Sequence, residues 1–204
     1  MTEVGSYYAA NPRYGKRKWG SLGLVAPGIE LKIVDSNSQE CETGIVGEIM
    51  VKGPSTALCY WGDPIQSKAL YLDSWLRVED LAYKDKDGFI WFVGRKKLMI
   101  VRRGSNISPV EIEDVINTHP DVTSTIAVGV EDVHDGQVPF LWVVSKTKNF
   151  KELKKQLRLL AKEKLPEYKN PVQYKQIEQY PHTGVGKVDR AKLLEMANRA
   201  YRSQ

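Results

Sequence analysis

Gly94-Arg95-Lys96-Lys97-Leu98-Met99-Ile100-Val101-Arg102-Arg103-Gly104-Ser105-Asn106-Ile107-Ser108-Pro109 is where the sequence changes character. Basic residues surround a short apolar strand, and Gly104 then turns the chain into a helix. On local chemistry alone this is a hairpin with a basic face toward solvent. Ser108-Pro109-Val110-Glu111 has the form of a capping box with proline at the first helical position. Ile112, Val115 and Ile116 follow at helical spacing.

Upstream of this stretch the chain reads as short strands separated by turns. Residues 29–34 alternate apolar and polar until Asp35-Ser36-Asn37-Ser38 breaks the pattern. Residues 45–52 form the next run, ended by Gly53-Pro54, and residues 89–93 follow the turn signal Asp87-Gly88. Frequent Gly and Pro between short strands suggest a small barrel or an antiparallel sheet. Downstream, the pattern predicts strands over 125–130 and 138–144. A helix over 151–164 would bury Leu153, Leu157, Leu160 and Ala161 and end at Pro166. A strand over 172–177 and a last helix with Leu193, Leu194 and Ala197 inward complete the chain. The expected order after residue 96 is strand–helix–strand–strand–helix–strand–helix, a compact α+β lobe. The change of texture places a boundary near Arg95-Lys96-Lys97, dividing the chain into 1–95 and 96–204. No internal repeat is visible at periods of ~20 to ~50 residues.

The 204 residues, 42% hydrophobic and 27% charged, suit one or two packed domains. A formal charge of +5 is modest, and no DNA- or RNA-binding motif accompanies it, which argues against a nucleic-acid partner. A nucleotide or phosphorylated cofactor uses the same positive potential more economically. Cys41 and Cys59 lie far apart and form no C-x-x-C pattern, which favours a reducing compartment. The start lacks a basic segment followed by an apolar one, and no apolar run approaches the ~18 residues a bilayer requires. The expectation is a soluble, cytoplasmic protein without a signal peptide or transmembrane segment.

Two further stretches carry chemistry. In Pro181-His182-Thr183-Gly184-Val185-Gly186-Lys187-Val188-Asp189-Arg190, two glycines flanking a small residue permit a tight, mobile loop. Lys187 at its end suits delivery of a point charge to a phosphate or carboxylate, or it is a solvated lysine capping the turn before a helix. The spacing is not that of a Walker loop. In Trp75-Leu76-Arg77-Val78-Glu79-Asp80-Leu81, an ionised Asp80 can accept hydrogen bonds from sugar hydroxyls, or it is a turn residue.

Taken in order, these stretches resemble the adenylate-forming superfamily of acyl-CoA synthetases, coumarate–CoA ligases, peptide-synthetase adenylation domains and firefly luciferase. Met1-Thr2-Glu3 looks like the end of the family's Y-G-x-T-E motif. Pro27-Gly28 and Gly47-Glu48-Ile49-Met50-Val51-Lys52-Gly53-Pro54 fit the segment after it. Ser74-Trp75-Leu76-Arg77-Val78-Glu79-Asp80-Leu81 resembles G-W-L-x-T-G-D-L. Asp87-Gly88-Phe89 through Gly94-Arg95-Lys96-Lys97 resembles the motif before a domain hinge. His119-Pro120 with Val128-Gly129-Val130 fits the small lobe, and Pro181 through Arg190 fits P-x-T-x-x-G-K-x-x-R. The resemblance covers essentially the whole chain.

The resemblance implies an α+β fold: a distorted, barrel-like last section of the large AMP-binding domain over 1–95, then a mobile C-terminal lobe over 96–204. It implies ATP-dependent joining of a carboxylic acid to a thiol, through acyl-AMP and pyrophosphate, with ATP/AMP, Mg²⁺ and CoA as cofactors. Thr2 would touch the AMP phosphate and Glu3 would help hold Mg²⁺. Asp80 would accept from the ribose hydroxyls, with Arg95 donating to the same sugar. Lys97 would be the hinge, Gly104 would lie along the pantetheine arm, and Lys187 would bridge carboxylate and α-phosphate. CoA is the expected acceptor, because residues 54–61 and the hinge lysine look like CoA ligases. The sequence departs from the family at four places: Val78-Glu79 replaces T-G, Leu98 stands where an acid is frequent, Arg103 replaces the first of two glycines, and Val185 replaces a common serine. The family's phosphate loop, most of its adenine site and its acyl pocket precede the T-E motif. The expectation is therefore a C-terminal fragment, inactive alone, whose missing amino-terminal domain acts in cis or trans. The alternative is a non-enzymatic module that binds a nucleotide, CoA or a protein, through the basic helix over 151–164.

Overall fold

The computed structural model describes residues 1–202, which divide into two compact units meeting at Lys97 and Leu98. The first unit opens with a single 3-10 turn, Thr2–Val4. Its elements are β1 (Ala9–Ala10), β2 (Leu24–Val25), β3 (Glu30–Val34), β4 (Gly47–Lys52), α1 (Pro64–Leu70), β5 (Tyr71–Leu72), β6 (Trp75–Lys84) and β7 (Ile90–Arg95). β1 and β2 form an antiparallel ribbon. The others make one antiparallel sheet in the order β3-β4-β6-β5, with β7 also on β6. Among the described residues the sheet stays open rather than closing into a barrel, so the antiparallel-sheet alternative describes it.

β6 was not foreseen as a strand. It alternates inward Leu76, Val78, Asp80 and Ala82 with half-buried neighbours, the period-two pattern of one buried face. Its first residues pair with β5 and its last with β7, and β4 runs along the other side. Ile33, Ile49, Val51, Leu76 and Ile90 form the core beneath this sheet. Asp80 therefore occupies a core-facing strand position, not a turn.

The second unit contains β8 (Ile100–Arg102), β9 (Ser105–Ile107), α2 (Pro109–Asn117), β10 (Val122–Asp132), β11 (Gly136–Ser145), α3 (Phe150–Lys164), β12 (Gln173–Gln176) and α4 (Arg190–Arg202). The sheet order is β10-β11-β8-β9, and β12 adds parallel to β11. One side of the sheet packs Ile112, Ile116, Leu153, Leu157 and Ala161 against Ala127, Leu141 and Val143. The other packs Leu193 and Ala197 against Ile126, Val128, Phe140 and Trp142. Two strands, not one, precede α2. Arg103 (φ 48°) and Gly104 (φ 79°) both sit in the left-handed region, and this pair is what a two-residue type I′ hairpin demands. The capping box also resolves differently. Ser108 is the N-cap and Pro109 the first helical residue, but no side-chain cap bond forms. Glu111 instead binds the Lys169 ammonium at 2.7 Å, which takes it away from the helix start.

Asp132, at the end of β10, accepts from the Tyr201 hydroxyl at 2.6 Å and from the His134 and Asp135 amides at 2.9 Å each. These bonds, Tyr201 foremost, hold its pKa down at about 2. In the unfolded chain the same group titrates near ~4. Its stabilising contribution is therefore complete above pH ~4 and is lost as pH falls through the folded value. Asp132→Asn is expected to flatten the acid limb of stability over that interval, read from urea midpoints at stepped pH. An unchanged acid limb would assign that sensitivity to other carboxylates.

Candidate functional site

Strand register sets Asp80 opposite Arg95. The Tyr8 hydroxyl donates to Asp80 Oδ2 at 3.3 Å. Arg95 Nε stands 3.0 Å from Oδ1, close enough for ionic attraction. Its N–H is off line, however, so Oδ1 is buried without a hydrogen-bond donor among the described residues. Burial pushes the Asp80 carboxyl up, and Arg95 and Tyr8 act against it. Burial, with Asp80 beside it, also pushes the Tyr8 phenol up. A buried acceptor left unpaired costs about 1–3 kcal/mol, and this oxygen has the capacity to accept one further hydrogen bond.

The residue before Asp80 fixes the next contact. Glu79 holds φ 61° although it is not glycine, and its carboxylate meets Lys97 Nζ at 2.9 Å. Glu48 was not singled out in the sequence, yet it organises the same region. It takes a two-pronged bond from Arg77, Nε to Oε1 at 3.0 Å and Nη2 to Oε2 at 2.8 Å, and a third from Lys96 Nζ at 2.7 Å. Its side chain is almost fully buried, and desolvation, the largest influence, works against ionisation. The combined bonds from Arg77 and Lys96 nevertheless bring its pKa below the usual value. Glu48 thereby ties β4 to β6 and anchors the residue next to Lys97. The signal available in sequence was a lone acid inside the apolar run 47–51.

Glu3 lies in the opening 3-10 turn, where its Oε1 accepts from the Tyr60 hydroxyl at 2.9 Å and its carbonyl from Ala57 N at 2.7 Å. The charge of Glu79 also acts on Tyr60, so Glu3 shares a neighbourhood with β6. Thr2 is exposed. Among the described residues no three His, Cys, Asp or Glu side chains gather as a metal cage. A single carboxylate such as Glu3 still suits Mg²⁺, which takes one or two carboxylates and completes its shell with phosphates and water.

Gly104 and Lys187 belong to the second unit. Gly104 occupies the hairpin tip, and a side chain built there would meet nothing within 4 Å, so its left-handed backbone is what requires glycine. The preceding Arg103 donates from Nε to Asp135 Oδ1 at 2.6 Å, while Arg102 donates to Oδ2 at 2.7 Å. Lys187 sits in a tight loop: Thr183 N donates to Lys187 O at 2.7 Å, Gly186 N to Thr183 O at 2.9 Å, and His182 bridges Val188. The lysine is exposed and forms no ion pair among the described residues. Helix capping falls instead to Asp189, whose side chain accepts from Lys192 N at 2.9 Å. Arg190, the last residue of the motif, turns inward to Glu113 at 3.0 Å.

The AMP-binding enzyme family matches residues 1–61, and the AMP-binding enzyme C-terminal domain matches 111–187. The chain is 37% identical to a long-chain-fatty-acid–CoA ligase of Salmonella typhimurium, over 97% of its own length and 35% of the relative's. It superposes on the ATP-bound RpMatB–BxBclM chimera B1 with a TM-score of 0.91 at 29% identity, covering 98% of this chain and 40% of that one. The anthranilate CoA ligase AuaEII in complex with anthranoyl-AMP gives 0.89 at 29% identity, covering 99% and 39%. The chain thus spans 35–40% of the length of these proteins. Both family matches in chain order, and a shared fold over almost every residue, show that the chain belongs to the adenylate-forming superfamily and corresponds to the carboxy-terminal portion of its acyl-CoA synthetases.

Proposed function

We propose that this chain supplies the ribose-facing strand and the catalytic lysine of an ATP-dependent acid–thiol ligase. A carboxylate and ATP give acyl-AMP and pyrophosphate, and CoA then displaces AMP to form a thioester. The observation that carries this reading is Asp80 Oδ1, buried beside Arg95 and without a donor. A ribose hydroxyl supplies the missing hydrogen bond, and Arg95 faces the same sugar. Thr2 touches the AMP phosphate. Glu3 would help hold Mg²⁺, which would offset the charge of the nucleotide phosphates. Lys187 neutralises charge where the carboxylate approaches the α-phosphate, and its exposed, unpaired ammonium supports this role.

Residues 1–95 act as the end of the large domain and 96–204 as the mobile lobe, with Lys97 as the hinge; the boundary between compact units directly after Lys97 supports this. Turning about Lys97 withdraws Lys187 and brings Gly104 beside the pantetheine arm, so one centre serves two reactions. The relatives' names, a fatty-acyl and an anthranilate CoA ligase, support CoA as acceptor.

Asp80→Asn in the complete protein tests the reading. The amide keeps the shape and one acceptor oxygen but loses the charge that attracts Arg95. KM for ATP should rise roughly tenfold in pyrophosphate release, about the strength of one charge-assisted bond. Unchanged ATP dependence, or no pyrophosphate release by the unaltered protein with any of a broad panel of acids, would overturn it.

A further inference from the structure

α3 begins beside the edge strand β12, and together they line an open groove of about 660 Å³. Phe150, Lys151 and Lys154 come from α3, Gln173 and Lys175 from β12, and Ala200 from α4. Its charges are unbalanced. Lys151, Lys154 and Lys175 make no ion pair among the described residues, whereas the acid of the same first turn, Glu152, is taken by Lys155 at 3.0 Å. Burial, then the neighbouring Arg158, holds the Lys154 ammonium below its usual pKa, a penalty on its charge that a bound anion relieves.

The helix end adds to this. Asn149 caps α3 by accepting from Glu152 N at 3.3 Å, which leaves the amides of Phe150 and Lys151 directed out of the helix start. Gln173 is an independent sign of a ligand. It is only 8% exposed, yet its Oε1 has no hydrogen-bond partner among the described residues. An unpaired amide oxygen is completed by a donor such as a ligand hydroxyl, while the NH₂ of the same carboxamide can donate to an anion.

Compact ammonium groups and helix-start amides are the chemistry of phosphate recognition. Three uncompensated cations suit a multiply charged group better than a single carboxylate. The volume falls in the ~300–1,000 Å³ range of small-molecule sites. We propose that this groove binds the phosphate group of a small phosphorylated ligand, held by Lys151, Lys154 and Lys175 and by the amides of Gln173 and the first turn of α3. The site shares no residue with the ligase centre and goes beyond it.

Titrating inorganic pyrophosphate into the ¹⁵N-labelled 204-residue chain at about 0.15 M salt tests this. Saturable shifts should appear at the amides of residues 150, 151 and 173–176. Lys154→Gln should weaken binding roughly tenfold, the loss of one charge-assisted contact. Gln173→Leu, which keeps the volume without the amide, should weaken it severalfold while the spectrum stays folded. If either variant unfolds, the exposed Lys175→Gln replaces it with the same expected loss. Shifts that never saturate, that spread equally over lysines elsewhere, or that persist at full affinity in the folded variants would overturn the proposal. So would tighter binding of hexaglutamate than of pyrophosphate, which would make the groove a docking surface for acidic peptides.

Discussion

Lys187→Ala in the complete protein is expected to slow adenylation roughly 10²–10³-fold while thioester formation from supplied acyl-adenylate proceeds nearly unchanged. The asymmetry follows from where charge develops. Bringing a carboxylate to ATP gathers two anions, and a positioned ammonium matters most there, in a site closed to water. Lys187 is positioned by backbone, not by a side-chain partner: its carbonyl is held by Thr183 N at 2.7 Å, and Gly186 turns with φ 79°. An ammonium without a competing carboxylate is free to serve the substrate. Separate assays of pyrophosphate release and of thioester formation read the two steps. Equal loss in both would mean that Lys187 supports the fold or both reactions, and would sink the assignment.

The periodic segments were legible in the sequence because their burial is simple. Residues 29–34 and 45–52 alternate or run apolar, and they become β3 and β4. The helix over 151–164 begins one residue earlier, and buries Leu153, Leu157 and Ala161, while Leu160 is only half-buried. What stayed hidden depends on tertiary partners. β6 escaped notice because Arg77, Glu79 and Asp80 break an apolar reading, yet Arg77 is answered by Glu48 and Glu79 by Lys97. Two departures from the family pattern illustrate the same physics. Glu79 and Arg103 stand where the family pattern has glycine, and both keep a left-handed backbone, φ 61° and 48°. That conformation costs about 1–2 kcal/mol outside glycine. Each is braced by an ion pair, Glu79 on Lys97 and Arg103 on Asp135. At Arg103 that conformation makes the β8–β9 hairpin turn, whereas at Glu79 it lies inside β6, where the register against β4 shifts. The Asp80–Arg95 and Glu48–Arg77–Lys96 contacts join residues on different elements, which no spacing rule could pair.

Arg190→Ala is expected to destabilise the second unit by about 3–5 kcal/mol, the range for removing one partner of a buried ion pair. Arg190 Nη2 reaches both Glu113 oxygens, at 3.0 and 3.2 Å, and Nη1 donates to Ala127 O at 3.2 Å. Glu113 also accepts from Ala127 N at 2.9 Å, so one guanidinium joins α2, β10 and the start of α4. Desolvation already raises the Glu113 carboxyl, and Arg190 is the principal opposing influence. Without it, Glu113 keeps a single backbone donor and its pKa rises further. The sign of the pH dependence follows: an acid whose folded pKa is raised takes up its proton more readily when folded, so the variant recovers stability as pH falls. The penalty should therefore be larger at neutral pH than near pH 5. Glu113→Gln in the same chain should restore much of the loss, since no charge is then left buried. Trp142 reports on this unit, because its indole N–H donates to Leu193 O at 3.1 Å beside α4. Urea unfolding followed by that indole NMR signal, at two pH values and in single and double variants, completes the test. A loss independent of pH and of Glu113 would reduce Arg190 to a packing residue, and its place in the motif would then need a ligand-facing explanation.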